Sequence, residues 1–145
     1  MLTENKIEGF VGINRYLPIL EGPLNTPSHK KFFEEAVKRL KAIDSSGPLP
    51  DRYVQSNYEA MNALKIGMEK SKFSGRADTM KLIEALEGLE MKEGDDFPQG
   101  DKVLRKEDHQ AFIREFIFDI KDGKHQILET IPKQKTYFPP ACRFA

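Results

Sequence analysis

The sequence predicts an α/β fold, laid out as one strand, three helices and then a β-meander. Three observations carry that reading. An apolar run near the start is too short for a helix. Three later stretches repeat apolar residues at helical spacing between start and stop signals. After Leu89 the period shortens to that of strands, with an Asp-Gly turn between two β-rich runs.

Ile7, Phe10, Val11 and Ile13, with Gly9 and Gly12, form the leading run and read as a buried strand. A turn-rich connector from Pro18 to Pro27 follows. Thr26 supplies a capping oxygen and Pro27 suits the first helical position. Phe32, Phe33, Ala36, Val37, Leu40 and Ile43 then make a helical stripe, stopped by Asp44-Ser-Ser-Gly-Pro48. The second helix is expected over about Arg52 to Ser71. Val54, Tyr58, Met61, Leu64 and Met68 form its apolar stripe, and Ala60, Ala63 and Gly67 form a second stripe of small residues that admits close neighbours. Asp78 is the expected cap of a third helix carrying Met80, Leu82, Ile83 and Leu86, and Gly88 suits its left-handed end.

Phe97-Pro-Gln-Gly100 reads as a turn and Lys102 to Arg105 as a short strand. Ala111 to Ile120 and His125 to Ile131 read as strands joined through Lys121-Asp-Gly-Lys124, since Asp-Gly favours a tight hairpin. Residues 132–145, with Pro139 and Pro140, are expected to be an extended tail. A single leading strand has no sequence-adjacent parallel partner. Either the closing strands pair with it or further strands lie upstream.

Composition narrows the function classes. The chain has 145 residues, enough for one domain with a real core, and is 39% apolar and 32% charged. Lys plus Arg and Asp plus Glu each number 23, so the formal net charge is zero and no basic excess points to nucleic acid. Lys30, Lys31, Lys38, Arg39 and Lys41 alternate with Glu34 and Glu35 and read as a solvated helix face. The single cysteine, Cys142, makes no internal disulfide and lacks the spacing of a zinc site. No segment approaches the ~18 apolar residues of a membrane span. The first six residues lack the pattern of a signal peptide.

Candidate chemistry is sparse. His109 follows Glu107 and Asp108, but at a spacing that does not converge two ligands on one face, so no metal is expected and the segment reads as a polar turn. His125, just after the hairpin turn, reads as exposed. No nucleophile elbow, cysteine–histidine pair or phosphate loop is present, and Glu84 and Glu87 read as an exposed helix face rather than a catalytic pair, so no catalytic residue and no cofactor are expected. Tyr16, after the first strand, and Tyr53, at the start of the second helix, lie where loops of an α/β lobe meet ligands. They are the candidate ligand-binding residues. Tyr58 lies on the apolar stripe and reads as packing.

From Gly9 onward the chain resembles the C-terminal lobe of type I periplasmic solute-binding proteins, in particular the leucine/isoleucine/valine and amide receptors of ABC importers. The pieces, in order, are Glu8-Gly-Phe-Val-Gly12, Thr26-Pro followed by Phe32, Tyr58-Glu-Ala60, Glu84-Ala-Leu-Glu-Gly88, Phe97-Pro-Gln-Gly100, Asp108-His-Gln110 and Lys121-Asp-Gly-Lys124.

The resemblance implies a protein of two α/β lobes closing on a small solute, which is then handed to a membrane permease. Such a protein binds branched-chain amino acids or related small amides and acids, and performs no catalysis. Residues 1–145 would then be one partial domain, lacking the N-terminal lobe and most of the ligand cleft, and the parent would be periplasmic or extracellular with its signal peptide upstream. The resemblance places an aromatic five residues before Tyr58, which is Tyr53, against the ligand side chain. It carries Tyr16 over more weakly. Pro139-Pro-Ala-Cys142 matches a family tail, implying that Cys142 pairs with an upstream cysteine in a longer protein and is free, or joins two chains, here. Two other readings stay open: the effector domain of a regulator, and a fragment that associates with itself through open strand edges and binds no ligand.

Overall fold

The computed structural model describes residues 9–141; Cys142, Ile7 and the N-terminal residues read above lie outside them. The chain forms β1 (Val11–Asn14), α1 (Pro27–Ile43), α2 (Arg52–Ser71), α3 (Thr79–Leu86), β2 (Glu90–Met91), β3 (Lys102–Leu104), β4 (Ala111–Phe112), β5 (Glu115–Lys121) and β6 (Lys124–Ile131).

Local chemistry sets the helix ends. The Thr26 hydroxyl accepts the His29 backbone N–H at 3.3 Å, with Pro27 at the first turn, and α1 ends before Asp44 as its stop signal requires. Asp51 caps α2 by accepting the N–H groups of Tyr53 and Val54 at 2.9 and 3.0 Å. Asp78 precedes α3 but makes no side-chain cap bond. Its carboxylate is taken by the Ser74 backbone N–H, the Ser74 hydroxyl and Lys81, which together hold its proton affinity far below the usual carboxylate range. Gly88 ends α3 in the left-handed region at φ +70°.

The strands pair antiparallel in two three-stranded sheets, β1-β5-β6 and β2-β3-β4, rather than in one meander. The run from Ala111 to Ile120 breaks at Ile113–Arg114 because there the chain crosses between sheets: the Arg114 carbonyl accepts from the Gln99 side chain at 2.9 Å. Asp122 and Gly123 both take positive φ, the hairpin turn that Asp-Gly favours. The leading strand does find its partner in the closing strands, with Gly12 opposite Phe118. A Cβ at Gly12 would lie 2.7 Å from the Phe118 ring, so glycine is what lets the ring lie across β1.

Four expectations are corrected. β1 is an edge strand and not buried: Phe10, Val11 and Ile13 are 51%, 63% and 58% exposed, since among the described residues only β5 pairs with it. The predicted apolar stripe of α2 faces out, Met61 at 65% exposure, while Gln55, Glu59 and Gly67 are buried. At Gly67 the small-residue face wins because α3 closes on it: a Cβ there would sit 2.7 Å from Leu86. His125 is half-buried, edge-on to Phe118 at 4.9 Å, and burial lowers its proton affinity. The tail is not wholly extended, for Lys133–Thr136 makes a 3-10 turn and Tyr137 stacks on Phe112 at 4.4 Å.

Two small cores result. Leu17, Leu20, Phe116, Phe118 and Ile120 fill one, behind the β1-β5-β6 sheet. Alternation along β5 puts Phe116, Phe118 and Ile120 on the same face, each burial contributing about 1.5–3 kcal/mol. Leu89, Met91 and Phe97 fill the other, against Ala63 and Ile66 of α2 and Leu86 of α3.

Candidate solute cleft

Beside α2 runs a cleft of about 550 Å³, within the range of small-molecule sites. Its walls are the end of β1, the first half of α2 and the β2-β3-β4 sheet. Ile13, Ala60, Leu104 and Ile113 give it apolar surface, and Arg15, Arg52, Glu59, Lys102 and Glu115 give it charge. A smaller hollow of about 340 Å³ adjoins it; Asn14, Arg52 and Tyr53 border both.

The floor is a buried polar network. The Glu59 carboxylate accepts the Gln99 backbone N–H at 3.0 Å and pairs with the Lys102 ammonium, both side chains 7% exposed. Burial lowers the Lys102 proton affinity, and Glu59 opposes that shift. The Gln99 side-chain amide donates to the carbonyls of Arg15 and Arg114 at 2.8 and 2.9 Å, tying β1 to the β4–β5 crossing. Gly100, at φ +127°, lets the Arg114 guanidinium lie over the turn, where a Cβ would be 3.2 Å from it. The Phe97–Gly100 turn is thus present as expected, but buried as the knot between the two sheets.

The two candidate tyrosines fall differently. Tyr53 is 61% exposed at the start of α2, its hydroxyl accepting from Arg52 at 2.8 Å and its ring 4.8 Å from the Arg52 guanidinium carbon. Tyr16 is 1% exposed and packs between His29 and Phe32, at 5.4 and 5.9 Å. Its hydroxyl has no hydrogen-bond partner among the described residues, and burial, with Asp51 and Glu59 adding, raises its pKa well above the usual phenol range. Tyr16 borders only the smaller hollow, so the structure does not bring both tyrosines into the main cleft. Tyr58 packs on Phe32 at 5.1 Å and its hydroxyl donates to the Asp95 carbonyl at 3.0 Å. His109 meets Glu87 at 3.1 Å in a polar turn. No group of three or more metal-ligating side chains converges among the described residues, and no helix there is long and apolar enough to cross a membrane.

No protein-family model matches the chain, and no curated protein matches its sequence. Solved structures do. A branched-chain amino acid ABC transporter protein of Rhodopseudomonas palustris CGA009 is 26% identical, with 95% of this chain aligned to 35% of that one at a TM-score of 0.64. The leucine-, isoleucine-, valine-, threonine- and alanine-binding protein of Brucella ovis, in its closed conformation, is 19% identical, covering 91% and 33% at 0.67. The chain has the fold of part of a type I periplasmic solute-binding protein. It also matches an ABC-transporter solute-binding protein of Rhodopseudomonas palustris HaA2 in complex with p-hydroxybenzoic acid, at 17% identity over 87% and 32% and a TM-score of 0.63. The chain spans about a third of the length of these solute-binding proteins.

Sequence reasoning missed the charged half of this cleft. Arg52, Glu59, Gln99 and Lys102 carry no periodic signal of their own. Glu59 sits inside the Tyr-Glu-Ala motif beside an apolar stripe, and Gln99 and Lys102 flank a turn, where polar residues are normally solvated. Only their three-dimensional convergence marks them.

Proposed function

We propose that the chain supplies part of the C-terminal lobe of the substrate-binding component of an ABC importer, with no catalytic role. Its solute is a branched-chain amino acid or a related small acid or amide, and its docking partner is a membrane permease. The parent protein is then periplasmic or extracellular.

The observation that carries this reading is the match of nearly the whole chain to solved solute-binding proteins, two of them proteins of branched-chain amino-acid transport or binding. The third holds an aromatic acid, which fits a tyrosine at the mouth of the cleft. Tyr53 is the ligand contact: an exposed ring beside apolar walls offers a face for an aliphatic or aromatic side chain. Tyr16 acts from behind the smaller hollow, shaping the wall on which Arg52 and Tyr53 stand.

The test is calorimetric titration of the protein expressed from its complete reading frame with leucine, isoleucine, valine and p-hydroxybenzoate, in the wild type and in Tyr53→Ala. The substitution should weaken binding by about 1–3 kcal/mol. Unchanged affinity removes Tyr53 from the site. Failure of a folded protein to bind any of the four removes this choice of solutes.

A further inference from the structure

We infer that the tail from Lys133 to Phe138 is a strap that holds the β3–β4 wall of the cleft, with Arg105 as its positioning residue. The strap and the wall then open together as one local unit, apart from the rest of the fold.

The wall is weak by itself. β3 has three residues and β4 two, and β4 is the outer strand of its sheet. Strands this short add little pairing, and a small sheet needs packing on its faces to be stable. One face lines the cleft with Leu104, Ala111 and Ile113. Alternation along each strand turns Arg105 and Phe112 to the other face. There Phe112 is nonetheless 2% exposed.

The tail supplies the cover. Tyr137 stacks on the Phe112 ring, the planes 8° apart, and Phe138 meets that ring edge-on at 5.4 Å. Thr136 Oγ1 lies 3.2 Å from the Ile113 carbonyl oxygen. Arg105 joins the pieces. Its Nε–H donates to the Asp108 carboxylate at 2.8 Å, its Nη2 pairs with the same carboxylate, and its Nη1 donates to the Phe138 carbonyl. The guanidinium carbon lies 4.6 and 5.1 Å from the centres of the Phe112 and Phe138 rings. All three nitrogens are thereby used, and the Arg105 and Asp108 side chains are 12% and 8% exposed. A planar fork fits this place and a point charge does not.

Position gives the strap its mechanical role. It leaves the β1-β5-β6 sheet at the end of β6, Ile131, and lands on β4 of the other sheet. Both sheets contribute to the cleft, Ile13 and Glu115 from one and Leu104 and Ala111 from the other. Beside the Gln99 knot, the strap is thus a second tie between them, applied from outside the cleft. Tyr137 and Phe138 are 47% and 50% exposed, so the strap holds by one face only, as a unit that opens locally does.

The experiment is hydrogen exchange followed by mass spectrometry. It uses the protein expressed from its complete reading frame, as wild type, Tyr137→Ala with Phe138→Ala, Arg105→Ala and Arg105→Lys. It needs no solute, so its outcome is independent of the solute-binding reading. In the double variant, exchange over residues 103–113 should rise about tenfold, the scale of one lost aromatic cluster. Exchange in the β5–β6 hairpin and in α2 should stay unchanged. Arg105→Ala should give the same rise over 103–113 and also speed exchange over 133–138, and Arg105→Lys should recover at most part of the protection. Unchanged exchange over 103–113 in the double variant overturns the inference. So does a rise spread equally over the hairpin and α2, which marks a loss of global stability. Full protection in Arg105→Lys overturns the role given to the fork. Should Arg105→Ala fail to fold, the double variant decides, since both of its rings are half exposed.

Discussion

Lys102→Met tests the polar floor of the cleft. The substitution keeps most of the aliphatic volume and removes the ammonium, leaving the Glu59 carboxylate 7% exposed with the Gln99 N–H as its remaining partner. Breaking a buried pair from one side costs about 3–5 kcal/mol, because the abandoned charge stays desolvated. Against a domain total of about 5–15 kcal/mol the chain should still fold. In urea, with a slope of about 2 kcal/mol per molar, the midpoint should fall by roughly 2 M. Glu59→Gln combined with Lys102→Met should recover most of this loss. The glutamine carbonyl can still accept the Gln99 N–H at its present 3.0 Å position, and no charge is left in the floor. The sum of the single effects should therefore exceed the double mutant's by several kcal/mol, a coupling that contact pairs show and distant ones do not. A loss below about 1 kcal/mol for Lys102→Met, the scale of an exposed pair, would refute the reasoning. It would mean that cleft water screens the two charges and that the network does not fix α2 against the sheet.

Three further outcomes are expected. His29 is 1% exposed; its Nε2–H donates to the Leu17 carbonyl at 3.1 Å, its Nδ1 has no partner among the described residues, and burial lowers its pKa below 6.5. The unfolded chain therefore binds more protons than the folded one just below pH 6.5, so stability falls on acidification through that window, by up to about 1.4 kcal/mol for each unit of separation. Urea melts at pH 7 and pH 5 should show the loss, and His29→Gln should reduce it; an undiminished loss assigns it elsewhere. Gly67→Ala should destabilise by about 1 kcal/mol in the same assay, since overpacking of about 1–3 kcal/mol against Leu86 outweighs the helix-propensity gain of about 1 kcal/mol. A more stable variant would show that α3 gives way freely. The open edge of β1, with Phe10, Val11 and Ile13 exposed, should drive the isolated chain to associate, and Ile13→Lys should shift it toward monomer in light scattering. A wild-type chain monomeric at all concentrations contradicts this.

Local signals were legible in the sequence because they act over a few residues. Thr26-Pro27, the Asp44 stop, Gly88 and Asp122-Gly123 mark their ends through capping and positive φ, and α2 occupies the span read for it. The order of motifs likewise pointed to the solute-binding-protein fold. Position alone also placed Tyr53 beside a cleft, as a residue at the start of a helix that follows an α/β loop.

What periodicity did not decide is which face of an element meets another. α2 has an apolar stripe and a small-residue stripe. Gly67 of the small one is buried because Leu86 comes within contact of it, and Glu59 is buried because Lys102, 43 residues away, neutralises it. The β-rich run from Ala111 divides between two sheets because Gln99 claims the Arg114 carbonyl. The sequence by itself determined where the three helices lie and where the closing hairpin turns, since caps and turns close within four residues. The tertiary structure decided which charges share the cleft, since a buried ion pair exists only when distant segments exclude water from it together.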